Sequence, residues 1–294
     1  MQLEKIETCP LCQGKILKEF LTCRDYTVSG ELFHVEQCQN CKFTFTNPRP
    51  TQETAGTFYL SSQYISHAIK SNGLMDRIYL IIRTFTMRWK FGLIKSSLKG
   101  KSLLDFGCGT GTFASYCKSK GVEVYGIEPS LEARTKAIEN FEAFEKLGHL
   151  PEKKYSVITL WHVLEHVYDL NETLQKLKNL LEETGTIFIA VPNYESYDAR
   201  QYLENWAAYD LPRHVWHFSE QTMKRVLVKN GLRLVNKIPM KLDSFYVSLL
   251  SEKNIAGGKL SIFNSFKALM NGFASNWKAK QSINYSSIIY QVQK

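Results

Sequence analysis

LLDFGCGTGTF, residues Leu103 to Phe113, decides the fold. The apolar run Leu103, Leu104 and Phe106 reads as a buried parallel strand. It ends in three glycines at alternate positions, Gly107, Gly109 and Gly111, with Asp105 two residues before the first. Glycines so placed form a tight turn whose backbone can approach a ligand without Cβ interference. The residues after the turn (Thr112, Phe113, Ala114, Tyr116, Cys117) have helical spacing. Strand, glycine turn and helix make the opening of a nucleotide-type βαβ unit, whose ligand sits at the carboxyl end of the strand.

A dinucleotide fingerprint, GxGxxG, would put its third glycine at position 112; the chain has Thr112 there and Gly111 one place earlier. Asp105 is awkward beside a pyrophosphate but suits the cationic end of a sulfonium amino acid. The next strand, Val122 to Glu128, ends in a carboxylate suited to two ribose hydroxyls, a feature common to both cofactor classes. The order Asp105, GCGTG, then GIEPS resembles the class I S-adenosylmethionine-dependent methyltransferases. The resemblance continues through WHVLEHVYDL, TIFIAVPNY and YDLPRHVWHFS to the subgroup in which a zinc ribbon precedes the fold. It implies an α/β fold with a doubly wound, mainly parallel seven-stranded sheet.

The resemblance also implies a cofactor site. Asp105, Gly107, Cys108, Gly109, Gly111 and Thr112 would hold the amino-acid part of S-adenosylmethionine. Glu128 and Pro129 would flank the ribose, and Leu147, Gly148, Leu160, Trp161 and His162 the adenine and sulfonium. Tyr64 would close over the cofactor as a lid.

Ahead of this domain, Cys9 and Cys12 (CPLC) and Cys38 and Cys41 (CQNC) form two CxxC pairs. Two such turns can close a tetrahedral structural zinc site with no open position. With seven cysteines and the polar N-terminus MQLEKIETCP, the expectation is metal in a reducing, cytoplasmic compartment rather than a disulfide framework. The expected domains are a zinc ribbon over 1–47, a linker and amphipathic helix over 48–99, and the cofactor domain over 100–294. That domain should carry a helical insertion at about 256–281. Residues 1–50 hold six basic and six acidic side chains, a poor phosphate footprint, so nucleic acid is not the expected partner.

At 294 residues with 44% apolar content, the chain can bury one large core. The net charge of +9 concentrates in Lys70 to Lys101 and in Lys253 to Lys294, the second stretch having lysines and no acid. These basic amphipathic stretches read as solvated helix faces, with peripheral membrane contact as the competing reading. Phe245 to Leu250 and Ser286 to Val292 read as a pair of antiparallel strands.

Acceptor chemistry points to two segments. His162, Glu165 and His166 crowd the end of the fourth strand; His162 and His166 could share one helix face, but no third metal ligand is evident. YDLPRHVWHFS resembles the sugar C-methyltransferases at His214, with Arg213 where those enzymes have Glu. The resemblance implies His214 as general base, with His162 the second catalytic candidate. The function expected is O- or C-methylation of a small-molecule or carbohydrate-type acceptor; the alternatives are an RNA methyltransferase or a non-catalytic cofactor-fold scaffold.

Overall fold

The computed structural model describes residues 2–59, 74–99 and 102–294, with residues 74–83 described as backbone only. Strands β1 (Leu3–Glu4), β2 (Leu17–Arg24), β3 (Leu32–Cys38), β4 (Thr44–Thr46) and β5 (Arg49–Pro50) build the N-terminal module. β2 and β3 form a hairpin, and β4 returns antiparallel on β3 after the second cysteine turn. The β2–β3 turn is set by Asp25, whose carboxylate accepts from the backbone N–H groups of Thr27, Val28 and Ser29. β1 pairs with β5, so the module continues through Pro50.

Helix α1 (Gln52–Ala55) and the long α2 (Leu74–Ile94) lead to the large sheet. Its units follow in order: β6 (Ser102–Phe106), α3 (Thr112–Lys118), β7 (Glu123–Ile127), α4 (Leu131–Ile138), β8 (Glu142–Phe144), β9 (Tyr155–Trp161), α5 (Leu170–Leu180) and β10 (Leu181–Pro192). Then come α6 (Tyr197–Tyr202), β11 (Trp216–His217), α7 (Glu220–Lys229), β12 (Arg233–Pro239), α8 (Asp243–Ile255), α9 (Ile262–Ser282) and β13 (Ser287–Gln293). The seven-stranded order is β12-β13-β10-β9-β6-β7-β8. Only β13 runs against its neighbours, β10 and β12.

Both faces of this sheet are buried, as a parallel sheet covered by helices requires. Leu104, Ile158, Leu160, Ile187 and Ile189 pack on one face. Their chain neighbours Leu103, Val157, Phe188 and Ala190 pack on the other with Ile94, Phe113 and Ile289. The strand order reverses between β6 and β9, and a crevice opens at such a reversal outside the strands' carboxyl ends.

Two sequence expectations need correction. Phe245 to Leu250 is not a strand: it lies inside α8, and β13 pairs with β12 and β10. The buried set Ser244, Val247, Ser248, Ser251 and Glu252 has a helical period. Its serines make a small-residue surface against which α9 packs, the Ser244 hydroxyl donating to the Gly272 carbonyl. A Cβ on Gly272 would stand 2.4 Å from the Phe245 ring, which is how closely the two helices approach. The third strand is also shorter than the expected 140–147, covering only Glu142–Phe144. The other face of α9 exposes Ile262, Phe263, Phe266, Phe273 and Trp277.

The C-terminal half completes the sheet of the N-terminal module. β11 pairs with β4 through Trp216–Phe45 and His217–Thr44, supplying the module's fourth strand from the C-terminal half. Trp216 stacks on Phe43 at 5.6 Å between ring centroids, and the Arg49 guanidinium lies 4.7 Å over the Trp216 ring.

Candidate active site

The loop after β6 is shaped by three glycines with positive φ: Gly107 (76°), Gly109 (56°) and Gly111 (77°). A side chain at Gly107 would strike Val163 at 2.4 Å, whereas a Cβ on Gly109 would meet nothing within 4 Å. Gly109 therefore opens onto free space where a ligand can lie against backbone. Its N–H donates to Glu128 Oε2 at 2.9 Å, and the Ser130 N–H donates to Oε1 at 2.8 Å. Each carboxylate oxygen keeps a further lone pair, enough for a vicinal diol. Arg134 fixes the adjoining turn by donating to the carbonyls of Glu128 and Pro129.

Asp105 lies beneath this loop, 2% exposed, and accepts from Thr159 Oγ1 at 2.6 Å. Burial raises its carboxyl to about 6, against the opposing pull of Thr159 and Lys90. Lys90, on α2, sits 4.4 Å over the Trp161 ring, and burial pulls its ammonium down. Trp161 meets Phe113 edge to face at 5.4 Å, and its indole Nε1 is buried without a hydrogen-bond partner. Leu147 and Gly148 form a short turn after β8. Leu160 is fully buried in the core, Cys108 packs beside Gly126, and the hydroxyls of Thr112 and Thr110 lie 3.4 Å apart. Tyr64 lies outside the described residues.

On the acceptor side, His162 follows β9 with φ 56°, its ring about a third exposed. Its Nε2 is 3.1 Å from Asp243 Oδ2, and its Nδ1 is 3.5 Å from Glu165 Oε1. Burial works against the imidazolium, but Asp243 and Glu165 outweigh it and raise His162 to about 9. His214 and His217 are buried instead. His214 donates from Nδ1 to the Ala208 carbonyl at 2.9 Å, and His217 Nε2 pairs with Thr46 Oγ1 at 3.1 Å. Burial pushes them down to about 4 and about 3, so both rings are neutral at physiological pH.

His162, His166 and His214 thus converge through Glu165, whereas His217 faces the N-terminal module. Arg213 is bound into a buried ion pair with Asp25 and Asp210, at 3.0 and 2.6 Å. It fixes the segment rather than lining the cleft. Sequence reasoning missed Lys90 and Asp243; each reaches the site from a distant segment and carries no local motif.

In the N-terminal module the two cysteine turns are near copies. Gln13 and Lys42, the residues just after the second cysteine of each pair, both have φ 63°. Their N–H groups donate to the carbonyls of Cys9 and Cys38. The four Sγ atoms lie within 4.8 Å of one another, with Cys9–Cys41 at 3.5 Å and Cys12–Cys38 at 3.6 Å. Tetrahedral zinc with bonds near 2.3 Å places its sulfurs about 3.8 Å apart, so the set fits. Burial pushes the Cys9 thiol up and raises Cys41 to about 11, a cost that a divalent cation at the centre would reverse.

The methyltransferase domain family matches residues 82–237, more than half of the chain. The chain belongs to this family. This methyltransferase has the fold of S-adenosylmethionine-dependent enzymes, and S-adenosylmethionine is its cofactor. Among curated relatives, the ubiquinone biosynthesis O-methyltransferase of Glaesserella parasuis serovar 5 (strain SH0165) is 32% identical over 113 residues, covering 33% of this chain and 48% of that protein. The methyltransferase therefore spans about half the length of that relative. The protein of the same name from Rhodopseudomonas palustris (strain TIE-1) is 28% identical over 204 residues, covering 66% of this chain and 72% of that protein. Two solved structures share the fold. A SAM-dependent methyltransferase from Archaeoglobus fulgidus has TM-score 0.50 and 21% identity, covering 72% of this chain and 94% of that one. The magnesium protoporphyrin IX methyltransferase of Synechocystis PCC 6803 has TM-score 0.52 and 12% identity, covering 83% and 100%. Among the described residues no helix of the methyltransferase is long and apolar enough to cross a membrane.

Proposed function

We propose that this protein transfers the methyl group of S-adenosylmethionine to a hydroxyl of a small-molecule acceptor. The observation that carries the reading is the open backbone at Gly109, flanked by Glu128 and Asp105, with His162 at the end of the adjacent strand. In this reading Glu128 takes the ribose diol, Asp105 faces the amino-acid ammonium, and Trp161, Leu147 and Gly148 border the adenine. The relatives named as O-methyltransferases support oxygen over carbon or nitrogen as the acceptor atom.

Bound S-adenosylmethionine supplies an electrophilic sulfonium methyl. The chain has to align an oxygen with it and take up the proton released as the C–O bond forms and the C–S bond breaks. His162 ends the adjacent strand and its ring is about a third exposed, so we assign it the acceptor side. Asp243 and Glu165 fix its orientation, and His214 stands behind Glu165 as a positioning residue. Lys90 and Trp161 close the cofactor side against water.

The test incubates the full chain with methyl-labelled S-adenosylmethionine and separate pools of phenols, catechols and saccharides, and follows mass gain in the acceptors. Label in a hydroxylated acceptor supports the reading, and label in saccharides alone narrows it to carbohydrate. Binding of the cofactor with label in no pool would refute a hydroxyl acceptor of these classes.

A further inference from the structure

Behind His162 the chain gathers a second set of ligating side chains, of which Glu165 and His214 also help to position that ring. Glu165, His166 and His214 each offer one ligand atom, and these atoms all lie within 4.8 Å of one another. Glu165 and His166 come from the short turn Leu164–His166 after β9, and His214 from the loop before β11. The set therefore forms only when the two segments dock.

The hydrogen-bond arithmetic of this cluster is incomplete. Glu165 is 1% exposed, and neither of its carboxylate oxygens has a hydrogen-bond partner. His162 faces Oε1 only at 3.5 Å. One oxygen therefore has only the longer His162 ion pair opposite it, and Oε2 has no donor, an arrangement that is costly in a buried carboxylate unless a further cation meets it.

The two imidazoles add acceptors, not donors. His166 Nδ1 lies 3.0 Å from the Arg213 carbonyl and 3.0 Å from the Tyr59 hydroxyl. A carbonyl can only accept, so Nδ1 carries a proton, and it is Nε2 that holds the lone pair in the neutral tautomer. His214 Nδ1 faces the Ala208 carbonyl at 2.9 Å, which fixes the same tautomer. Donation of the far ring N–H to a backbone carbonyl is the support by which metal-ligating histidines are oriented. Asp210, 3.9 Å from His214 Nε2, is already held by Arg213.

We propose that Glu165, His166 and His214 bind one divalent transition-metal ion, distinct from the ion of the four cysteines. Two imidazoles and one carboxylate suit zinc or iron(II) better than magnesium or calcium, which favour all-oxygen sets. On binding, the ligands draw together to the roughly 2.0–2.2 Å bonds of such a centre. Three protein ligands leave a position open to an oxygen, either water or an acceptor hydroxyl. Metal content can be read without any acceptor, so this site and the proposed methyl transfer fail independently.

The full-length protein, loaded with Zn²⁺ or Fe²⁺ and desalted, should retain two ions per chain by elemental analysis. Glu165→Gln and His214→Ala should each retain one, and a Cys38→Ser, Cys41→Ser variant should lose the other. Cobalt titration of the unaltered chain gives a readout that does not depend on variants folding. One equivalent should bring thiolate charge-transfer absorption, and a second should add ligand-field absorption without it. One ion per chain in the loaded wild type, or two retained in both ligand variants, would overturn the site, as would a second cobalt equivalent that adds no absorption.

Discussion

Glu128 is held by two backbone N–H groups, and each of its oxygens keeps a lone pair for a ligand. Removing it should cost two charge-assisted hydrogen bonds to ribose. Glu128→Ala is expected to weaken S-adenosylmethionine binding by about 1.5–3 kcal/mol by calorimetry, with an unchanged affinity placing the ribose elsewhere. Asp105 gives a pH test. Its folded value, about 6, lies above the ordinary 3.8, so across that interval the folded chain holds a proton that the unfolded chain has released. Ionising it therefore costs stability as pH rises, and a bound cation offsets that cost. Affinity for S-adenosylmethionine should fall as pH drops below about 6, and Asp105→Asn should bind more weakly with that pH dependence removed. At this scale the glycines, Asp105 and Glu128 were legible because a strand, a turn and a strand-end acid are local patterns. The charge of His162 was not, because Asp243 reaches it from a helix far away in sequence.

Secondary elements were legible where burial was two-sided. β6, β9 and β10 are continuous apolar runs, and the double CxxC announced its knuckles. β12 is an edge strand with a mixed, largely half-buried surface, so GLRLVNKIP carried no strong strand signal. Its place was given to the apolar Phe245 to Leu250, whose serine spacing is the mark of a closely packed helix. The knuckles supply the prediction here. Purified protein should hold zinc on Cys9, Cys12, Cys38 and Cys41. Cys38→Ser with Cys41→Ser should abolish that binding and its thiolate-to-metal absorption after cobalt exchange. Thiolate absorption that survives in this variant would place the ion on other cysteines.

Across the whole molecule, β11 makes the ribbon and the cofactor domain one structural unit. Trp216 is the fulcrum: it stacks on Phe43, lies under Arg49, and donates from Nε1 to the Val167 carbonyl. Trp216→Ala should destabilise the protein by about 3–5 kcal/mol, as deletion of a large buried aromatic does. Wild-type protein should melt in a single transition in which zinc release and loss of cofactor-domain structure coincide. Two separated transitions would show that the strand pairing transmits little.

That shared strand also sets an order on biosynthesis. All four cysteines precede β11 by well over a hundred residues, so the knuckles can capture their ion before that strand is synthesised. β4 then waits as an uncovered edge until Trp216 and His217 emerge. An exposed edge beside Phe43 and Phe45 is a template for wrong pairing with other nascent chains. The interval between residues 46 and 216, rather than the finished fold, is where this protein is most open to misassembly, and where a chaperone would have the most to protect.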